Sequence, residues 1–209
     1  MDADSRHETP STTIPRTLRE LSGAPSGTPL VEDRVLIIID AQREYLDGAL
    51  PLADIGSAIE NVVELLGHAR THGVPVIHVA HVGKPGRPFD PDRGGRIIDA
   101  VSPTGDETLV PKGLPNAFTD TDLRAGIAAT GRSQLILCGF MTHMCLSSTA
   151  RAALDLGLST TVVSDASATR DLPAAAGSGV VPADVVHRAA LAALADRFAL
   201  VLPTSALGD

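Results

Sequence analysis

The segment between residues 135 and 150 joins a strand-length apolar run to a helical pattern through a single break. Residues 135–138 are apolar, Gly139 interrupts them, and the apolar residues that follow recur at the spacing of a helix. The segment therefore predicts a strand, a sharp turn and a helix, which together form a building unit of α/β folds.

The same alternation runs through the chain. Strand-length apolar runs lie at residues 35–40, 75–80, 108–110, 134–138, 160–163 and 199–202. Helical patterns lie at residues 54–72, from a Thr119-x-x-Asp122 capping box to Gly131, and at residues 143–156 and 183–195. Because strand and helix take turns, the sequence predicts a three-layer α/β/α, doubly wound sheet that is mainly parallel and Rossmann-like in topology.

Composition divides the chain into an arm and one domain. Residues 1–30 are rich in Ser, Thr, Pro and Gly and predict an extended N-terminal arm, whereas residues 31–209 predict a single domain. A chain of 209 residues with 44% hydrophobic content can bury one large core. Residues 83–105 contain five Gly and four Pro, which indicates a long functional or interface loop with a short helix near residues 97–101.

The charge pattern excludes several classes of partner. The net charge is −8 without a basic block, which argues against binding nucleic acid or an anionic membrane surface. No apolar run approaches the roughly 20 residues that span a bilayer, and the first thirty residues lack a hydrophobic signal core. We therefore expect a cytoplasmic protein that acts on a small molecule.

Cys145 is the candidate nucleophile. With Thr142 as N-cap, it occupies the third helical position, where free backbone N–H groups and the helix dipole favour a thiolate over a thiol. One alternative is that Cys145 is a small buried apolar residue, the commonest fate of a free cysteine. Another is a redox-active pair with Cys138, although a disulfide is not expected in a reduced compartment.

Two further reactive groups follow predicted strands. Asp40 ends the first strand and Lys112 follows the strand at 108–110, and ligands of open parallel sheets bind beyond such carboxyl ends. A carboxylate can take the proton of a cysteine nucleophile and a cation favours its thiolate, so Asp40 and Lys112 suit these roles. The alternatives are a turn or capping carboxylate and a surface lysine.

Four motifs together resemble the isochorismatase-like cysteine hydrolases, a family that includes nicotinamidases, N-carbamoylsarcosine amidohydrolases and ureidoacrylate amidohydrolases. The motifs are Leu36-Ile-Ile-Ile-Asp-Ala-Gln42, Val110-Pro-Lys112, Cys138-Gly-Phe-Met-Thr-His-Met-Cys-Leu146 and Val163-Ser-Asp-Ala166, and the match covers about residues 34–202. The resemblance implies a catalytic triad of Asp40, Lys112 and Cys145. It also implies an oxyanion hole from the backbone N–H groups of Met141 and Cys145, with a cis peptide bond between Phe140 and Met141.

The metal site of the resembled nicotinamidases is not matched. Those enzymes use an Asp-x-His pair and a further His, but residues 41–48 here contain no His, and His78 and His81 lack the preceding Asp. We therefore expect no catalytic metal and no other cofactor. The enzyme that gives the family its name cleaves a vinyl ether without this cysteine, so Cys145 favours hydrolysis of a C–N bond.

Further side chains are candidates for the wall of the substrate pocket, because they lie on predicted loops near the triad. These residues are Gln42, Tyr45, His81, Phe118, Phe140 and His143. His187 lies on a helix among apolar neighbours and is interpreted as a partly buried structural residue.

The sequence thus predicts an amidohydrolase that cleaves a small amide, lactam or carbamoyl compound through a thioester. The alternatives are a non-catalytic binding or scaffold protein of the same fold and a C–O hydrolase of the isochorismatase type. We also expect a homo-oligomer, a dimer or tetramer, because Leu18, Leu21, Phe89, Ile97 and Ile98 would leave apolar area exposed on a monomer.

Overall fold

The computed structural model describes residues 14–175 and 177–208. The strands are β1 (Arg34–Ile39), β2 (Val76–His81), β3 (Thr108–Lys112), β4 (Gln134–Phe140), β5 (Ser159–Ala168), β6 (Leu172–Pro173), β7 (Val180–Val181) and β8 (Leu200–Leu202). The α-helices are α1 (Leu18–Leu21), α2 (Ile55–Thr71), α3 (Leu123–Thr130), α4 (Ser147–Asp155) and α5 (Ala183–Arg197). Single 3-10 turns lie at Val31–Asp33, Arg43–Tyr45, Asp99–Val101 and Thr204–Ala206, and a π-helical turn lies at Thr142–Leu146.

Within the described chain, six strands form one parallel sheet in the order β3-β2-β1-β4-β5-β8. Its central strand β1 pairs with β4 from Arg34↔Gln134 to Ile39↔Gly139, and every residue of β1 is buried. A continuous aliphatic run suits this position because side chains of a central parallel strand meet helices on both faces.

The two faces of the sheet carry separate apolar clusters. Leu36 and Ile38 of β1 pack with Val62 of α2, whereas Ile37 belongs to a cluster that contains residues of α3, α4 and α5. The predicted three-layer α/β/α architecture is therefore confirmed. No helix in the described ranges is long and apolar enough to cross a membrane.

The strand order reverses between β1 and β4. From β1 the chain builds outward through β2 and β3, and it then returns to place β4 on the other side of β1. Crevices at such a switch point, beyond the carboxyl ends of the strands, are the usual ligand sites of doubly wound sheets. The topology thus directs attention to the residues that follow β1 and β4.

Strand β5 is longer than the predicted run at 160–163. Its pairing with β4 jumps from Leu137↔Val162 to Gly139↔Ser167, so β5 bulges and then continues through small residues to Ala168. The predicted loop up to Pro182 accordingly contains the end of β5 and the antiparallel pair β6 and β7.

The predicted capping box at Thr119-x-x-Asp122 is wrong. Helix α3 begins at Leu123, and its N-cap Asp122 makes no side-chain capping bond. The hydroxyl of Thr121 instead donates to Ala117 O and accepts from Leu123 N–H, which stabilises a tight turn before the helix.

The described part of the arm is not wholly extended. Residues 18–21 form the short helix α1, which Thr17 and Glu20 close with a capping box. The backbone N–H of Leu18 donates to Asp196 of α5, so α1 lies against that helix. Residues 1–13 of the predicted arm lie outside the described residues.

The apolar residues of the 83–105 loop are not exposed as predicted. Ile98 is 5% exposed, and Phe89 and Ile97 pack against the α2-side cluster because the loop folds back onto the segment after β1. The exposed apolar side chains of that prediction are those of Leu18 and Leu21, on the arm. The homo-oligomer stays a prediction that depends on these two side chains.

Candidate active site

The three predicted catalytic residues meet at the carboxyl edge of the sheet. Asp40 follows β1 directly, Lys112 is the last residue of β3, and Cys145 lies in the π-helical turn after β4. Lys112 Nζ lies 2.8 Å from Asp40 Oδ2 and donates a hydrogen bond to Cys145 Sγ at 3.3 Å. The three residues are 0%, 3% and 6% exposed for Asp40, Lys112 and Cys145, respectively. The structure therefore joins a carboxylate, an ammonium and a thiol in one buried cluster.

The switch point depends on a close approach of β4 to β1. Gly139 has φ +104°, and a Cβ on it would lie 2.0 Å from the carbonyl oxygen of Ile39. Only glycine fits there. Asp40, the residue directly after β1, has φ +50°. Its backbone N–H donates to Val79 O, which holds the backbone of Asp40 against β2.

The thiol of Cys145 is not acidified in the resting site. Burial raises its pKa to about 12, the charge of Asp40 adds to this, and the lysine opposes both. The prediction of an easily ionised thiol is thus wrong, because it considered the helix terminus without the neighbouring carboxylate.

Burial also raises the pKa of the Asp40 carboxyl, while the charge of Lys112 lowers it. Lys112 and the thiol of Cys145 both lie within hydrogen-bonding reach of the Asp40 carboxyl, and these contacts also lower its pKa. An ionised Asp40 is therefore placed to accept the thiol proton, which is the arrangement of a general base.

The turn that carries Cys145 differs from the predicted helix start. Met141 caps it with its carbonyl, which accepts from the N–H groups of Met144 and Leu146, and the peptide bond between Phe140 and Met141 is cis. Thr142 is not the N-cap; its hydroxyl is hydrogen-bonded to His187 Nδ1 at 2.9 Å. That contact agrees with a structural role for His187.

Two of the predicted pocket-wall residues have other roles. The side-chain amide of Gln42 donates to the carbonyls of His81 and Gly95 and accepts from His81 N–H. Both of its N–H groups are used, so Gln42 braces the backbone rather than binding substrate. Phe140 is fully buried in the α2-side cluster, so it does not line an open pocket.

The other predicted wall residues lie around the triad. Tyr45 is 1% exposed and packs edge-on against Phe140, so it lies behind the wall of the site. The nearby charges of Asp40 and Cys145 add to the burial that raises the pKa of Tyr45. Phe118 packs on the cluster that contains Cys145.

Two wall histidines are held beside the site. Burial and then the charge of Lys112 lower the pKa of His81, which is paired with Lys112 across β2 and β3. His143 is hydrogen-bonded through Nδ1 to Thr169 Oγ1, and burial lowers its pKa. Both histidines are therefore favoured in the neutral form.

Sequence reasoning missed Arg170. It follows β5 and lines a cavity of about 410 Å³ with residues 49–53 and Asp171. Its charge opposes the raised pKa of Tyr45 and, after burial, lowers the pKa of His143, so it lies near both. Its Nε is buried without a hydrogen-bond partner among the described residues. A sequence signal existed, since Arg170 is a lone cation after a run of small residues.

The two cysteines occupy opposite faces of the sheet. Cys138 belongs to the α2-side cluster and Cys145 to the cluster under α3 and α4. Both are free, and burial raises the pKa of Cys138 as well. The redox pair is therefore not supported. In the described ranges, no group of three or more His, Cys, Asp or Glu side chains is placed to hold a metal ion.

Comparisons with known proteins agree on one family. The family model described as "Isochorismatase domain" matches residues 34–206. The chain is 42% identical to a crystallised isochorismatase of Pseudomonas putida KT2440, with a TM-score of 0.88 over 93% of this chain and 100% of that one.

Two curated relatives are similar over most of the chain. The isochorismatase family protein YddQ of Bacillus subtilis is 38% identical over 82% of this chain and 96% of its own. A streptothricin hydrolase of Streptomyces noursei is 36% identical over 80% of this chain and 62% of its own.

Proposed function

Because the chain belongs to the isochorismatase family of hydrolases, we propose that it cleaves the C–N bond of a small amide, lactam or carbamoyl compound through a thioester on Cys145. The buried contact of Asp40, Lys112 and Cys145 is the observation that carries this proposal. A thiol held between a carboxylate and an ammonium suits acyl transfer, in which a nucleophile needs a base only when it attacks.

The first half of the reaction forms the thioester. Asp40 takes the proton of Cys145 while the sulfur attacks the substrate carbonyl, and Lys112 keeps its charge beside both groups. The N–H groups of Met141 and Cys145 receive the developing oxyanion, a contribution of about 3 kcal/mol per donor in comparable sites. The tetrahedral intermediate then expels ammonia or an amine, which takes the proton from Asp40.

The second half releases the product. Asp40, ionised again, removes a proton from water, and the resulting hydroxide attacks the thioester carbonyl. The C–S bond breaks, and the thiolate of Cys145 regains the proton from Asp40. The products are the acid, or its carbamate equivalent, and the resting site.

A C–O hydrolase is the competing assignment, since the family name refers to that reaction. Cleavage of a vinyl ether gives no acyl group for a thiol to hold, so a cysteine in contact with a base and a cation favours the C–N assignment. One relative is named for hydrolysing streptothricin.

Ammonia or amine release from a panel of amides, ureas and lactams tests the proposal. Intact-mass detection of the acyl-enzyme completes it, with Cys145→Ala as the blank.

The rise of kcat/KM with pH on the acid side of its profile should follow the ionisation of Asp40. Activity is expected to rise with pH as Asp40 ionises, because only the carboxylate can accept the thiol proton. Burial raises the pKa of this group above the ordinary value of 3.8, so the midpoint should also lie above it. A pH profile of kcat/KM checks this, and a midpoint at or below the ordinary value contradicts Asp40 as the base.

We further infer that the substrate carries an anionic group bound by Arg170. Arg170 is partly exposed, lines a cavity and lies near Tyr45 and His143, so its guanidinium can offer N–H groups to a carboxylate. Arg170→Gln is expected to lower kcat/KM for anionic amides about 10- to 100-fold, the usual effect of losing a charged hydrogen bond, and to spare neutral amides. The exposed Arg188→Gln is the matched control. Equal losses for both amide classes would contradict this role.

A further inference from the structure

A buried carboxylate outside the triad fastens the 83–98 loop to the segment after β1. Glu44 is 4% exposed, its Oε1 accepts from Ala49 N–H at 2.8 Å, and its Oε2 accepts from Phe89 N–H at 3.0 Å. None of the ion pairs in the described part of the chain includes Glu44. Backbone N–H groups therefore satisfy its oxygens, and each of these bonds is charge-assisted.

The backbone around Glu44 is paired with the same loop. Arg43 N–H donates to Arg96 O, and Glu44 N–H donates to Gly94 O. A Cβ on Gly94 would lie 1.9 Å from Glu44 Oε2, so only glycine lets the loop pass this close to the carboxylate. The close approach of the loop to Glu44 thus depends on both the carboxylate of Glu44 and the absence of a side chain at Gly94.

The residue that Glu44 holds packs on two side chains that lie beside the triad. Phe89 has φ +63°, which is costly for a non-glycine residue, and its carbonyl accepts from Gly83 N–H. Its ring packs edge-on against Tyr45, at 5.2 Å between centroids, and against His81, at 4.9 Å. His81 is the β2 neighbour of Lys112 in the sheet.

We propose that Glu44 is a positioning residue that holds Phe89 against Tyr45 and His81, so that the partly exposed rings of Phe89 and His81, backed by the buried ring of Tyr45, form one apolar wall of the substrate pocket. The wall would set the size of the acyl group that reaches Cys145. This inference rests on the proposed hydrolase function but concerns the pocket rather than the chemistry.

Glu44→Gln is the direct test. A glutamine keeps the size but presents an NH₂ group to one of the two backbone donors. We expect KM to rise about tenfold with kcat within about threefold, because the wall binds ground state and transition state alike. The ratio of kcat/KM for a small and a bulky acyl group should shift toward the bulky one. The exposed Glu64→Gln is the matched control and should match the wild type.

The loop itself provides a measurement that is independent of turnover. Trypsin cleavage after Arg93 should be faster in Glu44→Gln and in Gly94→Ala, whose methyl group displaces the carboxylate. Gly27→Ala, where a Cβ meets nothing within 4 Å, is the control for glycine replacement. Phe89→Ala should change KM and size preference without faster cleavage, because it removes the ring but keeps the bonds of Glu44.

Cys145 alkylation separates failure of this inference from failure of the proposed function. The rate ratio for a small and a bulky haloacetamide reports the wall even if no amide is hydrolysed, and it should shift in Glu44→Gln and Phe89→Ala. An unchanged ratio in both variants, or unchanged cleavage after Arg93 in both Glu44→Gln and Gly94→Ala, overturns the positioning role.

Discussion

Cys145→Ala is expected to lower kcat by about 10⁴-fold or more, the usual loss when the nucleophile of a catalytic triad is removed. Cys145→Ser should lose nearly as much, although its hydroxyl can still accept from Lys112, because an alcohol is far harder to ionise than a thiol. Stability should change little, since each replacement removes or exchanges one atom at a nearly buried site. Steady-state ammonia release and thermal unfolding measure the two effects.

The other cysteine provides the control. Cys138 is buried on the opposite face of the sheet, where its thiol donates to Ile37 O, so folded Cys138→Ala should retain the activity of the wild type. Turnover that persists in Cys145→Ala would rule out the thioester mechanism and favour the C–O hydrolase alternative.

Asp40→Asn is expected to move two rates in opposite directions. Hydrolysis should fall about 10³- to 10⁴-fold, because the amide cannot accept the thiol proton. Alkylation of Cys145 by iodoacetamide at neutral pH should become faster. The variant removes the carboxylate charge that helps to raise the pKa of the thiol and keeps the lysine that lowers it.

Alkylation rates across pH, with intact-mass identification of the labelled residue, measure the second effect. The free energy of unfolding should also fall by about 3 kcal/mol, because Lys112 loses its buried partner. Folding must therefore be checked by circular dichroism. Slower alkylation in a folded Asp40→Asn protein would contradict the assigned roles of Asp40 and Lys112.

The sequence predicts the centre of the fold better than its edges. The aliphatic runs of β1 and β4 leave few alternatives, since only a doubly buried parallel strand accepts them, and the residues at their ends follow from topology. The end of β5 was missed because small residues after a bulge carry no periodic pattern. The burial of Ile98 depends on a loop that folds back onto Ala41, a contact between residues far apart in sequence.

Side-chain roles were harder to predict than positions. Gln42 is predicted to line the pocket because it lies on a loop near the triad, yet its partners are the backbones of His81 and Gly95, which no local pattern reveals. The direction of the Cys145 pKa was wrong for a similar reason. A helix terminus can be located in a sequence, but the burial of a carboxylate beside it cannot.

The protonated state of Cys145 has a consequence for the lifetime of the protein. Peroxide converts thiolates to sulfenic acid far faster than thiols, so cysteines that are ionised at rest are damaged whenever oxidant is present. Here burial and the charge of Asp40 favour the protonated sulfur, and in the proposed mechanism the proton leaves only when a carbonyl is in place to be attacked. The carboxylate proposed to activate the cysteine during turnover would therefore also protect it from oxidation at rest.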